Sequence, residues 1–359
     1  MPSKTDIKYY NFADDLDQYP DAWCYVVYSK RGAGKTYSGL LTAYKRNIPI
    51  IYMKRTNEDV AFICRGDVDG LDTSPYVPLN RDHGIDVYAR TIDKGVGGFW
   101  HYEDGVPDGL PIAYCLSLNA VKRVKGFDAS RCDWIIFDEF IPQLGERVSR
   151  TEGEQLLDLY MTVARDREKR GRKPLKLVLF ANAEEISTPI TNCLEIVDTM
   201  SDMQAQGIHQ FYDYDRNIYI HHISEDEVPV SENEKSGIYQ AMINTAWGQK
   251  SFEGTFSRND FTNVAHRSLK GYQPFIHLHY KTHDYYIYRN ASGYYYMCYS
   301  FAKCPFEYNL NRENEQKAFY IEHQIDLWDI CVEDKFRFQK YSMYDLIIHY
   351  NKIFNVSRG

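Results

Sequence analysis

At 359 residues the chain is too long for one compact core and predicts two or three units. A hydrophobic content of 44% suits globular folding, and a net charge of −8 argues against a general nucleic-acid coat while leaving room for a local basic surface. No run approaches the length of a membrane span, and MPSKTDIKYYNF lacks a basic-then-apolar leader, so a soluble intracellular protein with no membrane partner is expected.

Residues 1–22 are polar and mixed and read as an arm leading into the first strand. Trp23–Tyr28 is an uncharged apolar and aromatic run, a short buried strand. Ser29, Lys30, Arg31, Gly32, Ala33, Gly34, Lys35 and Thr36 follow, and Tyr37–Arg46 reads as a helix. Strand, glycine-containing loop and helix form the context of a phosphate-binding P-loop (Walker A). Gly32 and Gly34 would turn backbone N–H groups inward, and the helix N-terminus adds its positive dipole end. Lys35 would reach the β- and γ-phosphates, and the Thr36 hydroxyl would ligate Mg²⁺. Ser29 stands where G-x-x-x-x-G-K-[ST] has its first glycine. The alternative is a strand–turn–helix that happens to contain Gly-Lys-Thr.

Pro49–Lys54 reads as a second strand. From Arg55 to Pro111 many Gly, Asp and Pro break the pattern; strand-like pieces at Ile85–Thr91 and Phe99–Tyr102 suggest a β-rich insertion or lobe. Ile112–Leu118 is another strand, followed by a basic run at Lys122–Arg131. In CDWIIFDEF, Cys132–Phe140, three apolar residues deliver Asp138 at the end of a buried strand, the Walker B arrangement in which the acid holds the Mg²⁺ shell. Glu139 beside it is placed to polarise water for in-line attack, a role kinases do not need. Thr151–Gly171 is predicted as a helix on Leu156, Leu157, Tyr160, Met161 and Ala164, and it opens the strongly basic stretch Arg165–Lys176. Leu175–Ala181 is the next buried strand. Asn182 at its end suits a sensor of γ-phosphate or attacking water, with a plain turn cap as the other reading. The eight cysteines are scattered without a C-x-x-C pair and read as reduced, mostly buried thiols.

Together SKRGAGKTYS, IYMKR, IIFDEFI, VARDREKR and LVLFANA resemble, in order and spacing, the DNA-packaging ATPases of phi-29-like short-tailed bacteriophages. The resemblance covers roughly the first half of the chain, including a basic residue, Arg31, before the middle glycine. It implies a P-loop α/β ATPase domain of the ASCE type with a mostly parallel sheet over residues 1–228. The implied activity is ATP- and Mg²⁺-dependent translocation of double-stranded viral DNA into a prohead by a homo-oligomeric ring, a pentamer in that family. Arg165 matches the family's arginine finger, and Lys125 falls where a trans-acting lysine is placed. The implied setting is the host cytoplasm, docked on the prohead and its portal, with a structural packaging RNA as a further partner.

Residues 229–262 read as a small linker domain with a helix-like piece at Glu234–Trp247. Within 263–359, Gln273–Lys281, Asp284–Arg289 and Gly293–Ser300 alternate like antiparallel strands, and helical patterns follow up to Tyr344–Asn355. The resemblance makes this unit RNase H-like, related to a terminase nuclease. Such a nuclease needs clustered carboxylates for two metal ions. The first strand, PFIHLHYK, has none, so a catalytically dead docking domain is expected. His277, His279 and His283 find no Cys or acid to complete a metal set. Tyr285, Tyr286, Tyr288, Tyr294, Tyr295 and Tyr296 suit either packing of a two-layer sheet or stacking on RNA bases. The functional alternatives are another P-loop enzyme, kinase or GTPase-like, and a non-catalytic nucleotide-binding capsid scaffold. Glu139 argues against the kinase, and no N-K-x-D guanine signature is present.

Overall fold

The computed structural model describes residues 9–66, 72–103, 105–121, 129–143, 145–228, 237–245, 248, 255–256 and 259–356. The chain divides into two compact units, one formed by Met1–Leu194 with Asp202–Arg258, the other by Glu195–Ser201 with Asn259–Gly359.

The first unit is built on a ten-stranded sheet. Its strands are β1 (Cys24–Ser29), β2 (Ile50–Lys54), β3 (Val87–Asp93), β4 (Val96–Glu103), β5 (Val106–Pro107), β6 (Ala113–Ser117), β7 (Trp134–Asp138), β8 (Lys176–Asn182), β9 (Gln210–Asp213) and β10 (Ile218–His222). They lie in the order β3-β4-β6-β2-β7-β8-β1-β10-β9, with β5 on β4. From β6 to β10 every neighbouring pair is parallel. These strands are covered on both faces and read as unbroken apolar runs, since alternation is lost when neither face meets water. The segment predicted as a β-rich insertion or lobe is an insertion that joins the main sheet: β3 and β4 pair antiparallel and continue it at β6. That segment also holds two helices, α3 (Asn57–Ile63), closed by a capping box from Thr56 and Asp59, and α4 (Val77–His83).

Residues 1–22 hold more than an arm. Helix α1 (Phe12–Gln18) is N-capped by Asn11 and sinks Phe12 among the rings of Tyr25, Trp134 and Phe180. A seven-residue helix in a polar segment gives little periodicity to read, and its anchor is this one buried ring. Helix α2 (Lys35–Lys45) packs so closely on β8 that a β-carbon on Gly39 would lie 2.4 Å from the Phe180 ring, so only glycine fits there. Helix α5 (Glu152–Ala164) is shorter than the predicted Thr151–Gly171. Its buried stripe is Leu156, Leu159 and Val163, while Met161 is exposed, so the predicted face was rotated. Arg165 ends it in extended geometry, and Asp166 takes a left-handed φ of 58°. A short helix, α6 (Pro189–Cys193), follows β8; α7 spans Val197–Gln206; and α8 (Ile238–Met242) falls inside the stretch predicted as Glu234–Trp247.

In the second unit β11 (Tyr272–Tyr280), β12 (His283–Asn290) and β13 (Tyr295–Cys298) form the expected antiparallel meander. Two strands not anticipated flank it, β14 (Phe306–Asn309) parallel to β11 and β15 (Phe336–Phe338) parallel to β13. Alternation along β12 sends Tyr285 and Ile287 to one core and Tyr286 and Tyr288 to another on the opposite face. The tyrosines of this sheet are therefore mainly packing residues; Tyr285, Tyr286, Tyr288 and Tyr296 are buried and Tyr294 is exposed. All eight cysteines are free thiols and all but Cys193 are buried. No described helix is long and apolar enough to cross a membrane.

A buried network ties α1 to the sheet. Asp15 accepts from the hydroxyls of Tyr10 (2.6 Å) and Tyr219 (3.1 Å), and its carboxylate lies 2.7 Å from His221 Nδ1; His221 Nε2 lies 2.9 Å from Glu227. Burial pulls the His221 pKa down, but the two carboxylates outweigh it and leave it raised from 6.5 to about 9. A raised folded-state pKa stabilises fully below the unfolded value and is lost as pH rises through the folded one. The account predicts that this group contributes at most about 3 kcal/mol, lost between pH 7 and 10. Guanidinium titrations of the parent should show that fall, and His221→Gln should be less stable at pH 7 with a flatter profile. Parallel profiles would show that His221 is not the group.

Candidate functional site

Four parallel strands end side by side, and each delivers a polar group at its carboxyl end. In register, Ser29 of β1 pairs with Asn182 of β8, and Asp138 of β7 lies opposite Phe180 of β8. Lys54 closes β2 on the other side of β7. Crevices at the carboxyl ends of parallel strands are where α/β sheets bind ligands. The loop after β1 turns through Gly32 (φ 78°) and Gly34 (φ 86°), both left-handed, before α2 starts at Lys35. No acidic residue opposes the positive end of α2 in its first turn. Glycine at the turn and a bare helix N-terminus make an anion cradle.

Lys35 lies inside this cradle. Its ammonium donates to Ser29 Oγ (2.6 Å), Lys30 O (3.2 Å) and Asn182 Oδ1 (3.3 Å). The hydroxyl of Ser29, in the place of the expected glycine, is thus a holder of the lysine. Opposite, Asp138 Oδ1 accepts from Thr36 Oγ1 (2.7 Å), and Oδ2 accepts from Tyr52 (2.8 Å) and Lys54 (2.9 Å). Lys54 also donates to Glu139 Oε2 at 2.8 Å.

The two lysines are shifted in opposite directions. Burial pulls Lys35 down to about 8, against the weaker pull of Asp138 and Glu139. Burial also lowers Lys54, yet its direct bonds to both carboxylates win and raise it to about 12. Burial would raise Asp138, but Lys54 first, then Thr36 and Tyr52, hold it below the usual carboxylate range. Lys54 is therefore shared by the two carboxylates, while Lys35, bonded only to neutral oxygens, has its charged form disfavoured by burial. Glu139 sits at φ 59°, in the left-handed region that costs a non-glycine residue of order 1–3 kcal/mol and is found where a site over-determines it.

The Thr36 hydroxyl and the Asp138 carboxylate are hard oxygen donors within hydrogen-bond distance of each other, a pair suited to Mg²⁺. Among the described residues no group of three or more His, Cys, Asp or Glu is placed to hold a metal ion. A Mg²⁺ held by this pair would take its remaining ligands from water or an anionic ligand, as that ion ordinarily does.

The structure brings Ser29, Lys30, Lys35, Thr36, Asp138, Glu139 and Asn182 to this one place. Arg31 lies on the loop, more than half exposed, 3.5 Å from the buried Glu184. Arg165 does not join them through any bond: it is exposed at the end of α5 with no hydrogen bond or ion pair among the described residues. The neighbouring acid Asp166 pairs with Lys169 instead. Lys125 lies outside the described residues. The basic stretch Arg165–Lys176 is only partly a surface. Arg167 is buried and donates to Lys173, Ser130 and Cys132 carbonyls and to Asp133, and Lys176 donates to Pro20 and Ala22 carbonyls. In the second unit Asp284 Oδ1 lies 2.8 Å from His277 Nε2 and 3.0 Å from His279 Nδ1, hydrogen-bond contacts that are not among any metal-holding group of the described residues.

Sequence reasoning missed Lys54, Tyr52 and Arg55. The signal for Lys54 was present, since a charge ending a buried strand is the same signature that singled out Asp138. Arg55 braces the loop after β7, donating to Phe140 O (2.7 Å), Glu152 (2.6 Å) and Glu146 (3.1 Å).

No protein-family model and no curated protein matches the chain. Solved structures do. A chain of the Phi-28 gp11 DNA packaging motor superposes with a TM-score of 0.64 at 15% identity, covering 98% of this chain and 99% of that one. A chain of the bacteriophage Phi-29 viral genome packaging motor assembly superposes with a TM-score of 0.61 at 16% identity, covering 96% and 99%. The chain shares the fold of phage packaging-motor chains. That likeness runs through both compact units.

Removing Lys54 would leave a buried carboxylate without its cation. Lys54→Ala should lower stability by about 3 kcal/mol, and adding Asp138→Asn should restore part of it. Denaturant titrations of the two variants check this; a loss in Lys54→Ala below about 0.5 kcal/mol would show the pair is not structurally important.

Proposed function

We propose that the chain is the ATP-hydrolysing subunit of a viral DNA-packaging motor. The observation that carries this reading is the convergence of Lys35, Thr36, Asp138, Glu139 and Asn182 at the carboxyl ends of β1, β7 and β8. Two features support it. Strand β8 lies between β1 and β7, as an ASCE-type P-loop fold requires, and the fold is shared almost end to end with packaging-motor chains.

In this reading the loop 29–36 wraps the triphosphate of ATP, and Lys35 gains the anion its buried ammonium lacks. Thr36 and Asp138 hold Mg²⁺, which supplies charge neutralisation on the phosphates. Glu139 accepts the proton of the attacking water, with Lys54 fixing where its carboxylate rests. Asn182, bonded to Lys35, reports the state of the γ-phosphate to β8. Arg165, exposed and unbonded, acts on the site of a neighbouring subunit, stabilising charge on the transferring phosphoryl group. Lys125 is proposed for the same trans role. Subunits form a ring, a pentamer by the resemblance, that moves double-stranded DNA into a prohead in the host cytoplasm. The second unit is proposed as an RNase H-like docking domain without nuclease chemistry. The middle of β11 carries Ile276, His277, Leu278 and His279 where a nuclease needs its first carboxylate, and the proposed docking partners are the prohead, its portal or a packaging RNA.

Lys35→Ala should raise the Kd for ATP by about 30-fold or more, measured by calorimetry, because a charge-assisted contact to phosphate is removed. Arg165→Ala should bind ATP as the parent does but hydrolyse it roughly 10³-fold more slowly. Mixed rings of Arg165→Ala and Lys35→Ala subunits should regain part of the DNA-stimulated hydrolysis, since some interfaces then join an intact loop to an intact arginine. No recovery at any ratio, in rings shown to hold both subunits, would place Arg165 outside the neighbour's site.

A further inference from the structure

An exposed aromatic ring stands at the mouth of the phosphate loop, and nothing in the reading above uses it. Tyr9 precedes α1, and the chain there is fastened to the loop: Tyr10 N donates to Ala33 O at 3.1 Å, and Phe12 N donates to Ser38 Oγ at 2.7 Å. The Tyr9 ring rests on Gly34. A β-carbon built on Gly34 would lie 3.3 Å from Tyr9 Cδ1 and 3.5 Å from its Cβ. Yet Tyr9 is 59% exposed, among the more open large side chains of the protein. Tyr37, two residues beyond Lys35, has a hydroxyl that reaches His83 Nε2 (3.0 Å) and Asp82 (3.3 Å). The Tyr37 hydroxyl is raised chiefly by burial and by Asp82, and Tyr9 is among the groups that act on it. An open aromatic ring thus rests on the glycine that precedes Lys35, in a segment whose next residues are fastened to the loop and to α2 by backbone donors.

We propose that Tyr9, together with Tyr37, is the base-binding platform of the site, taking the aromatic base of a nucleoside triphosphate by stacking. The proposal rests on the phosphate-binding reading of the loop. A tyrosine face reads the area of a base and not its hydrogen-bonding edge, so the platform favours purines over pyrimidines and separates adenine from guanine weakly. Fastening the platform to the loop by Tyr10 and Ala33 also links phosphate contact to base contact, because a shift of the loop carries the ring with it.

The test is calorimetry on the full chain with the β,γ-imido analogues of ATP, GTP, CTP and UTP, and with inorganic triphosphate. Tyr9 is largely exposed, so Tyr9→Ala should melt like the parent. It should weaken both purine analogues about tenfold or more, draw the purine-to-pyrimidine ratio toward one, and leave inorganic triphosphate unchanged. Tyr9→Trp should retain the purine preference. Unchanged purine affinity in Tyr9→Ala overturns the proposal. Equal weakening of purine analogues and inorganic triphosphate overturns it too, since the ring would then serve only to hold Gly34. Lys35→Ala is the control for the reading beneath: if it binds inorganic triphosphate as the parent does, the phosphate site is misplaced and the platform falls with it. If Lys35→Ala loses triphosphate while Tyr9→Ala keeps purine affinity, only the platform fails.

Discussion

An ionised carboxylate inside a protein is expensive, and the candidate site is arranged around keeping one ionised. Asp138 is buried at the end of a central strand, and Thr36, Tyr52 and Lys54 reach it from α2 and β2. Lys54 and Tyr52 lie where they do because β2 runs parallel to and in register with β7, and Thr36 because the loop after β1 starts α2 beside the end of β7. Satisfying Asp138 has a second effect. It engages Lys54, which also bonds Glu139, so that one lysine is shared by two carboxylates, while burial, the largest influence on Lys35, depresses its pKa to about 8.

Much of this was readable in the chain itself, because the governing residues sit in short local patterns. Two glycines before Lys35-Thr36, and an apolar run ending in Asp138-Glu139, state both the backbone shape and the chemistry within a few positions. The central strands were equally legible, since burial on both faces leaves continuous apolar runs. Lys54 was less so. It becomes a site residue only once β2 is known to lie against β7, and strand order is a long-range property that no local pattern carries. The same holds for the β3–β4 hairpin: its sequence reads as a β-rich insertion or lobe, and only its pairing with β6 shows which of the two it is.

Charge runs proved the least reliable signal. Arg165–Lys176 looks like one basic surface, yet Arg167 and Lys176 spend donors on backbone carbonyls, while Arg165 stays exposed with no hydrogen bond or ion pair among the described residues. Composition counts charge but not where it is spent. The tyrosines of the second unit teach the complementary lesson. Their density suits either sheet packing or a stacking surface, and β12, covered on both faces, takes tyrosines into both cores. The aromatic that does stand open beside a site, Tyr9, lies in a segment whose sequence reads as an undistinguished arm. Its significance comes from the backbone bond between Tyr10 and Ala33.

The central claim is that this cluster hydrolyses ATP with Glu139 as the acceptor of the water's proton. Phosphate release by the parent and by Glu139→Gln, with ATP binding measured on both, tests it most directly. The account predicts a DNA-stimulated parent rate and a variant that binds ATP as well but turns over at least about 100-fold more slowly. A Glu139→Gln protein that releases phosphate at the parent rate would contradict it.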